Sequence, residues 1–245
     1  MRLLLNFALL ATLSCSNALV IPTQQHSVSL PKDLKLRNLP LGDSITQGMG
    51  HSKGDSYRKD LYDKLTAFGA KVEYVGSQKG GTFPQNSHEG WIGFTIEQIS
   101  QRADDPKALG AKPNLVLLLA GTNDMTKNDP KGASAKLQKL VEKIVKKDAG
   151  VVVILGTLPP ITATYMPNGK SDSALIISEF NRALPGMARA LTEKGAKVLV
   201  ADLSAVKLGD LKDLIHPDDA GYSKMAAGWF RAIEDVAAKG WLKGS

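Results

Sequence analysis

The 245-residue chain has a single cysteine, Cys15, and it stands inside an N-terminal stretch that reads as a removable leader. A chain without it can form no disulfide, so packing must supply the stability even in an oxidising compartment. Long apolar runs are missing too. After Leu13 no stretch reaches the roughly 18 to 20 uninterrupted apolar residues that a spanning helix requires, which predicts no membrane anchor. Aromatic residues make up 6% of the chain and are not interleaved with its lysine cluster, which argues against a nucleic-acid surface. Past the leader there is no clear Asn-x-Ser/Thr acceptor for a glycan; Asn86-Ser87-His88 lacks the pattern.

What is present fits one α/β catalytic domain, since 43% hydrophobic residues in a chain of this length can bury a substantial core. Met1-Arg2 is a short positive region, Leu3 to Leu13 an apolar run and Ser16-Asn17-Ala18 a small-residue cleavage pattern. Together they predict a signal peptide over 1–18 and a secreted, extracellular protein, for which a monomer is the expectation. A lipidated Cys15 is the rival reading, which Thr12-Leu13-Ser14 fits poorly. Residues 19–35, with Pro22 and Pro31, read as a lead-in, and 36–245 as the catalytic domain. The formal charge of +7 falls to +6 without Arg2; Lys136, Lys139, Lys143, Lys146 and Lys147 read as the solvated side of one helix. Weak attraction to acidic cell-wall polymers stays open.

Hydrophobic periodicity orders the elements. A short strand at Leu39 to Gly42 runs into Gly42-Asp43-Ser44, and Tyr57, Leu61, Leu65 and Phe68 recur at helical spacing before Gly69. Val72 to Val75 is a second strand, followed by a Gly-rich loop to Gly93 and a short helix from Thr95 that turns Ile96 and Ile99 inward. The apolar run Leu115 to Ala120 is a central strand ending at Gly121-Thr122-Asn123-Asp124. Asp129-Pro130 then starts a helix with an inner stripe of Leu137, Leu140, Val141, Ile144 and Val145. Val151 to Leu155 is the fourth strand. The next helix carries Ile176, Ile177, Phe180 and Leu184, and Pro185-Gly186 is expected to kink or split it. Lys197 to Asp202 is the fifth strand, and a closing helix after His216-Pro217 buries Met225, Trp229, Phe230 and Ile233. Strands alternating with helices predict a parallel sheet whose ligand site lies beyond the carboxyl ends of the strands.

The candidate chemistry sits at those ends. A serine hydroxyl needs a base to take its proton, usually an imidazole, and there are four histidines. His26 falls in the lead-in, while His51 and His88 lie in loops near the expected mouth. His216 follows Asp213 by three residues, so that the carboxylate can reach back to its ring, and Pro217 biases it away from helical geometry. Alone, an Asp-x-x-His before a helix is more often a capping arrangement. Asp43, Asn123, Asp124, Asp213 and His216 could also be hard or borderline ligands of a metal-dependent phosphoesterase, but no second and third histidine join them. A noncatalytic carbohydrate-binding protein is a third reading.

Taken in order, Gly42-Asp43-Ser44, a glycine of the Gly76 to Gly93 loop, Gly121-Thr122-Asn123-Asp124 and Asp213-x-x-His216 resemble the four blocks of the SGNH, or GDSL-type, hydrolase superfamily. The resemblance covers nearly the whole chain after the leader. It implies an α/β, three-layer α/β/α flavodoxin-like fold with a five-stranded parallel sheet in the order 2-1-3-4-5. It implies catalytic Ser44, Asp213 and His216, and an oxyanion hole made by the Ser44 N–H, a second-block glycine N–H and the Asn123 carboxamide. Gly93, opening Gly93-Phe94-Thr95-Ile96, is the preferred glycine, with Gly76 and Gly90 as alternatives. No cofactor or metal is implied.

Leu39 to Thr46, Asp55-Ser56-Tyr57-Arg58 and His88-Glu89-Gly90-Trp91-Ile92-Gly93 resemble the branch of carbohydrate acetyl esterases, acetylxylan esterases in particular, which usually has Gly where Ser56 stands. The implied activity is removal of acetyl groups from xylan-type polysaccharide, with lipase or aryl esterase action on non-carbohydrate esters as the alternative. Asp43, which supports the turn, and His88, Trp91 and Tyr165 are the candidate substrate contacts.

Overall fold

In the computed structural model, residues 30–126, 130, 132–162 and 173–242 are described. The leader with Cys15, the start of the lead-in, Asp129 and Tyr165 lie outside them. The central strand β1 (Lys35–Gly42) is longer than the Leu39 to Gly42 expected, because Pro40 does not interrupt it. Carbonyls of Leu34, Asn38 and Gly42 accept from Lys71, Val75 and Trp91 on one side, and that of Arg37 accepts from Asn114 on the other. By that alternation the missing N–H of Pro40 faces the side where β2 (Lys71–Tyr74) stops pairing at Asn38 and β4 (Ser87–Gly90) begins at Leu41. The proline falls in the gap between two neighbours and forfeits no ladder bond.

The sheet runs β3 (Gln78–Lys79), β4, β1, β5 (Leu115–Leu119), β6 (Val152–Gly156) and β7 (Lys197–Ala201), with β2 also on β1. The expected order survives as β2-β1-β5-β6-β7, all parallel. The correction is in number: among the described residues the sheet has seven strands. Because β2 covers only the amino half of β1, the carboxyl half takes β4, which pairs antiparallel with β3. Every residue of β5 and β6 is buried, as a strand covered on both faces requires.

On one face α2 (Ser56–Ala67) packs against α7 (Asp219–Ala238); on the other α3 (Ile96–Arg102), α5 (Ala133–Lys147) and α6 (Ser173–Glu193) pack in succession. Two helical boundaries differ from expectation. Gly132 caps α5, which begins at Ala133 rather than at Pro130, since the first turn that can bury an apolar side chain is the one carrying Ala133 and Leu137. Pro185 does not split α6. Leu184, Met187, Ala188 and Leu191 are buried on both sides of it, and that stripe offsets a proline cost of about 3 kcal/mol. Phe68, expected on the inner face of α2, is exposed just past the helix end and meets Phe230 with ring centroids 5.0 Å apart.

Candidate active site

At the carboxyl end of β1 the chain turns sharply because Gly42 leaves room for it. A Cβ there would stand 2.3 Å from the Leu119 carbonyl oxygen and 2.4 Å from Thr46 Oγ1. Asp43 then caps a one-turn helix, α1 (Ser44–Gln47), its carboxylate accepting the Ile45 N–H at 3.0 Å. Ser44 is therefore the first residue of that turn, where a backbone N–H has no acceptor within the helix. Asp43 itself is fully buried, and burial pushes its carboxyl up to about 6 against the pull of the Ile45 N–H. It lies beneath the site and does not line it.

Ser44 Oγ stands 2.9 Å from Nε2 of His216. Nδ1 of the same ring stands 2.7 Å from Asp213 Oδ2, and Asp213 Oδ1 accepts the N–H groups of Ile215 and His216, each at 2.8 Å. Burial opposes ionisation of Asp213, but these donors outweigh it and hold its carboxyl below the usual range. An ionised carboxylate only accepts, so Nδ1 carries the proton, and Nε2 turns its lone pair to the serine hydroxyl. Ser44, Asp213 and His216 are thus brought together in the order a proton relay needs. The loop closes on itself through Lys212 N–H to the His216 carbonyl at 2.8 Å, and Leu214 accepts from Thr162.

Asn123 sits in α4 (Thr122–Thr126) beyond β5, whose Leu119 pairs with Gly42. Its Nδ2 donates to the Phe94 carbonyl at 3.0 Å, which takes one of its two N–H bonds. The next residue, Asp124, accepts the first N–H of α3 from Ile96 at 3.0 Å. The α4 turn therefore grips both sides of the segment that follows Gly93. Gly93 has φ 75°, a left-handed conformation suited to glycine, with open space where a Cβ would project. The alternatives serve packing: a Cβ at Gly76 would meet the His88 backbone at 2.2 Å and one at Gly90 the Gln47 nitrogen at 2.5 Å.

The other expected contacts fall differently. His88 is 1% exposed, its Nδ1 accepts the Gly90 N–H at 3.0 Å, and burial aided by the Arg58 charge pushes its ring down to about 3. It is a neutral residue of the β4 strand, walled off from solvent by the β3–β4 pairing. Trp91 is half-buried and already committed: Nε1 donates to Glu89 at 2.8 Å, Phe94 stacks on its ring, and the Arg102 guanidinium lies 4.2 Å above it. His51 flanks the site, where its loop is pinned by Ser52 to Asp219 and by the Tyr222 hydroxyl to the Met49 carbonyl. The carboxylates considered as metal ligands each hold backbone N–H groups. Among the described residues no three His, Cys, Asp or Glu side chains converge.

Two residues have roles that the sequence pattern does not disclose. Arg58 is fully buried and donates to backbone carbonyls around the Ser44 turn. Ser56 has φ 56°, which explains why glycine is usual there in the resembled branch; its hydroxyl compensates by donating to the Ile45 carbonyl at 2.8 Å.

Comparison with known proteins places these features. The family model described as GDSL-like Lipase/Acylhydrolase family matches residues 41–224. A multidomain esterase of Ruminococcus flavefaciens is 29% identical over 262 aligned positions, covering 95% of this chain and 32% of that protein. The chain thus spans about a third of that relative's length. Among solved structures, a family 3 carbohydrate esterase of Clostridium thermocellum is similar with TM-score 0.72 and 27% identity, over 84% of this chain and 98% of that one. A family 3 carbohydrate esterase of Talaromyces cellulolyticus shares the fold at TM-score 0.68 and 20% identity, over 83% and 99% of the two chains.

Proposed function

Because the chain belongs to the GDSL-like lipase/acylhydrolase family, we propose that it is an esterase that removes acetyl groups from carbohydrate, of the xylan type, by serine acyl transfer. The observation that carries the reading is Ser44 Oγ at 2.9 Å from His216 Nε2, with Asp213 on the other ring nitrogen at 2.7 Å. Ser44 Oγ attacks the ester carbonyl carbon while Nε2 takes its proton. The carbonyl electrons move to oxygen, where the Ser44 N–H, the Gly93 N–H and the free N–H of Asn123 Nδ2 stabilise the charge. Collapse breaks the bond to the sugar oxygen, which receives the proton from His216, and leaves acetyl-Ser44. Water, deprotonated by the same ring, releases acetate and restores the serine. Asp213 fixes the tautomer throughout and stabilises the imidazolium.

The acetyl-carbohydrate assignment draws support from the similarity to a family 3 carbohydrate esterase and from the His88 to Gly93 segment. The Met1 to Ala18 pattern supports export, which suits a polymeric substrate outside the cell. The test is a panel of acetylated xylan, acetylated oligosaccharides and aryl esters of increasing acyl length, run on wild type beside Ser44→Ala. Acetylated xylan cleaved by wild type and spared by the variant is the expected result. Full activity in Ser44→Ala would defeat the mechanism. A preference for long acyl chains or for simple aryl esters would defeat the substrate assignment alone.

A further inference from the structure

Three consecutive residues at the start of α2 hold the backbone that follows Ser44. Ser56 Oγ donates to the Ile45 carbonyl, the Tyr57 hydroxyl lies 3.4 Å from Thr46 Oγ1, and Arg58 takes the carbonyls of Thr46 and Gln47 at 3.1 Å each. The guanidinium does more. Its remaining N–H bonds reach the Gly54 carbonyl at 3.1 Å, the Gly80 carbonyl at 3.0 Å and the Asn86 carbonyl at 3.1 Å. A guanidinium has five N–H bonds in a rigid plane, and here each has its own backbone acceptor.

The acceptors come from three segments. Thr46 and Gln47 end the turn that begins with Ser44, Gly54 ends the loop that backs His216, and Gly80 and Asn86 are the two ends of the loop that joins β3 to β4. From that loop the chain enters β4, which ends at Gly90, three residues before Gly93. One buried side chain therefore ties the nucleophile turn to the start of the strand that leads to the second-block glycine. A backbone carbonyl held by a planar fork cannot slide past its neighbour, so the fork sets the spacing of the two.

We propose that Arg58 is a positioning residue of the acyl-transfer site, fixing Ser44 against the glycine arm of the oxyanion hole; the proposal rests on the esterase reading above. Arg58 is fully buried and cannot touch substrate, so its loss acts on the reacting geometry and not on substrate affinity. Misplacement of a reacting group by about 1 Å can cost 100-fold in rate. Lysine can replace the charge but not the planar fork, and methionine replaces only the volume.

The test compares Arg58→Lys and Arg58→Met with wild type by circular dichroism, by kcat and KM on a small acetyl ester, and by the rate at which a fluorophosphonate labels Ser44. In folded protein, Arg58→Lys is expected to lower kcat about 100-fold with KM nearly unchanged. Labelling should slow in parallel, and Arg58→Met should lose more than Arg58→Lys. A folded Arg58→Met with wild-type kcat and labelling would overturn the proposal. So would failure of both variants to fold, since Arg58 would then be a structural residue only. If wild type labels at a residue other than Ser44, the esterase reading fails first; normal labelling in both variants sinks the Arg58 proposal alone.

Discussion

The turn that carries Ser44 and the loop that carries Asp213 and His216 meet at 2.9 Å, yet the two are held by different means. The Ser44 turn hangs from the central strand. Its cap Asp43, its flanking Thr46 and its clamps Ser56, Tyr57 and Arg58 are all within 2% of full burial, and the contacts that join the turn to those clamps cross 11 or 12 positions of chain. The Asp213–His216 loop orients its base locally: its carboxylate, two N–H groups and ring lie within four consecutive residues, the Asp213 side chain is 49% exposed, and the tie to Thr162 runs through the Leu214 carbonyl, not through the carboxylate or the ring. A nucleophile must stay put against the oxyanion donors, which requires the whole fold. The base needs only its tautomer and direction, which a short loop can supply.

The largest effect that tests this contrast is chemical. Asp213→Asn should lower kcat by about 10⁴-fold, because an amide can present its N–H to Nδ1 and leave the wrong tautomer facing Ser44. The melting temperature should barely move; a large drop would show that Asp213 holds more than its own loop. On the nucleophile side, Asn123→Ala should lower kcat about 100 to 1,000-fold through loss of one oxyanion donor. It should also destabilise, since the Phe94 carbonyl loses its partner. Steady-state kinetics beside thermal melts separate the two effects.

The next test uses the buried groups beneath the Ser44 side. Asp43 is raised to about 6 in the fold, so its contribution is present in acid and is lost as pH rises through that value. His88 is lowered to about 3, so its contribution is present above about 6.5 and is lost as pH falls. Between pH 4 and 6 the two slopes oppose each other. Asp43→Asn keeps an acceptor for the Ile45 N–H and removes the charge. Relative to wild type, its unfolding free energy should fall on acidification by up to about 1.4 kcal/mol per pH unit in that window. Urea titrations at several pH values check this; parallel curves would mean that Asp43 titrates as it does unfolded.

The smallest effect lies at Ser56. Ser56→Gly relieves a left-handed backbone while losing one buried hydrogen bond, and the two terms, each about 1 kcal/mol, nearly cancel. Ser56→Ala loses the bond and keeps the strain, so it should cost about 1 to 2 kcal/mol. Equal stabilities for the two variants would remove the strain argument.

The same contrast explains what the sequence disclosed. The Asp213-x-x-His216 loop is legible because its partners are side chains at a fixed short spacing. The Gly42-Asp43-Ser44 turn is legible because an apolar strand runs into it. Arg58 stands in a segment that carries the branch resemblance, but its role is not legible, since its acceptors are carbonyls that every residue carries and no pattern marks. Strand β4 is equally hidden: Ser87-His88-Glu89-Gly90 shows no apolar alternation, and only its pairing with β1 and β3 buries His88, placed from sequence near the mouth. Pro40 argued for a short first strand because a sequence does not show where one neighbour hands over to the next.

The central claim is that acyl transfer passes through Ser44. Rapid mixing with an activated aryl acetate, an acid quench and peptide mass spectrometry would read it directly. The account predicts one acetyl group on the peptide containing Ser44, formed in a burst and absent from Ser44→Ala. Turnover that continues in Ser44→Ala, or an acetyl group accumulating on a different residue at the catalytic rate, would contradict it.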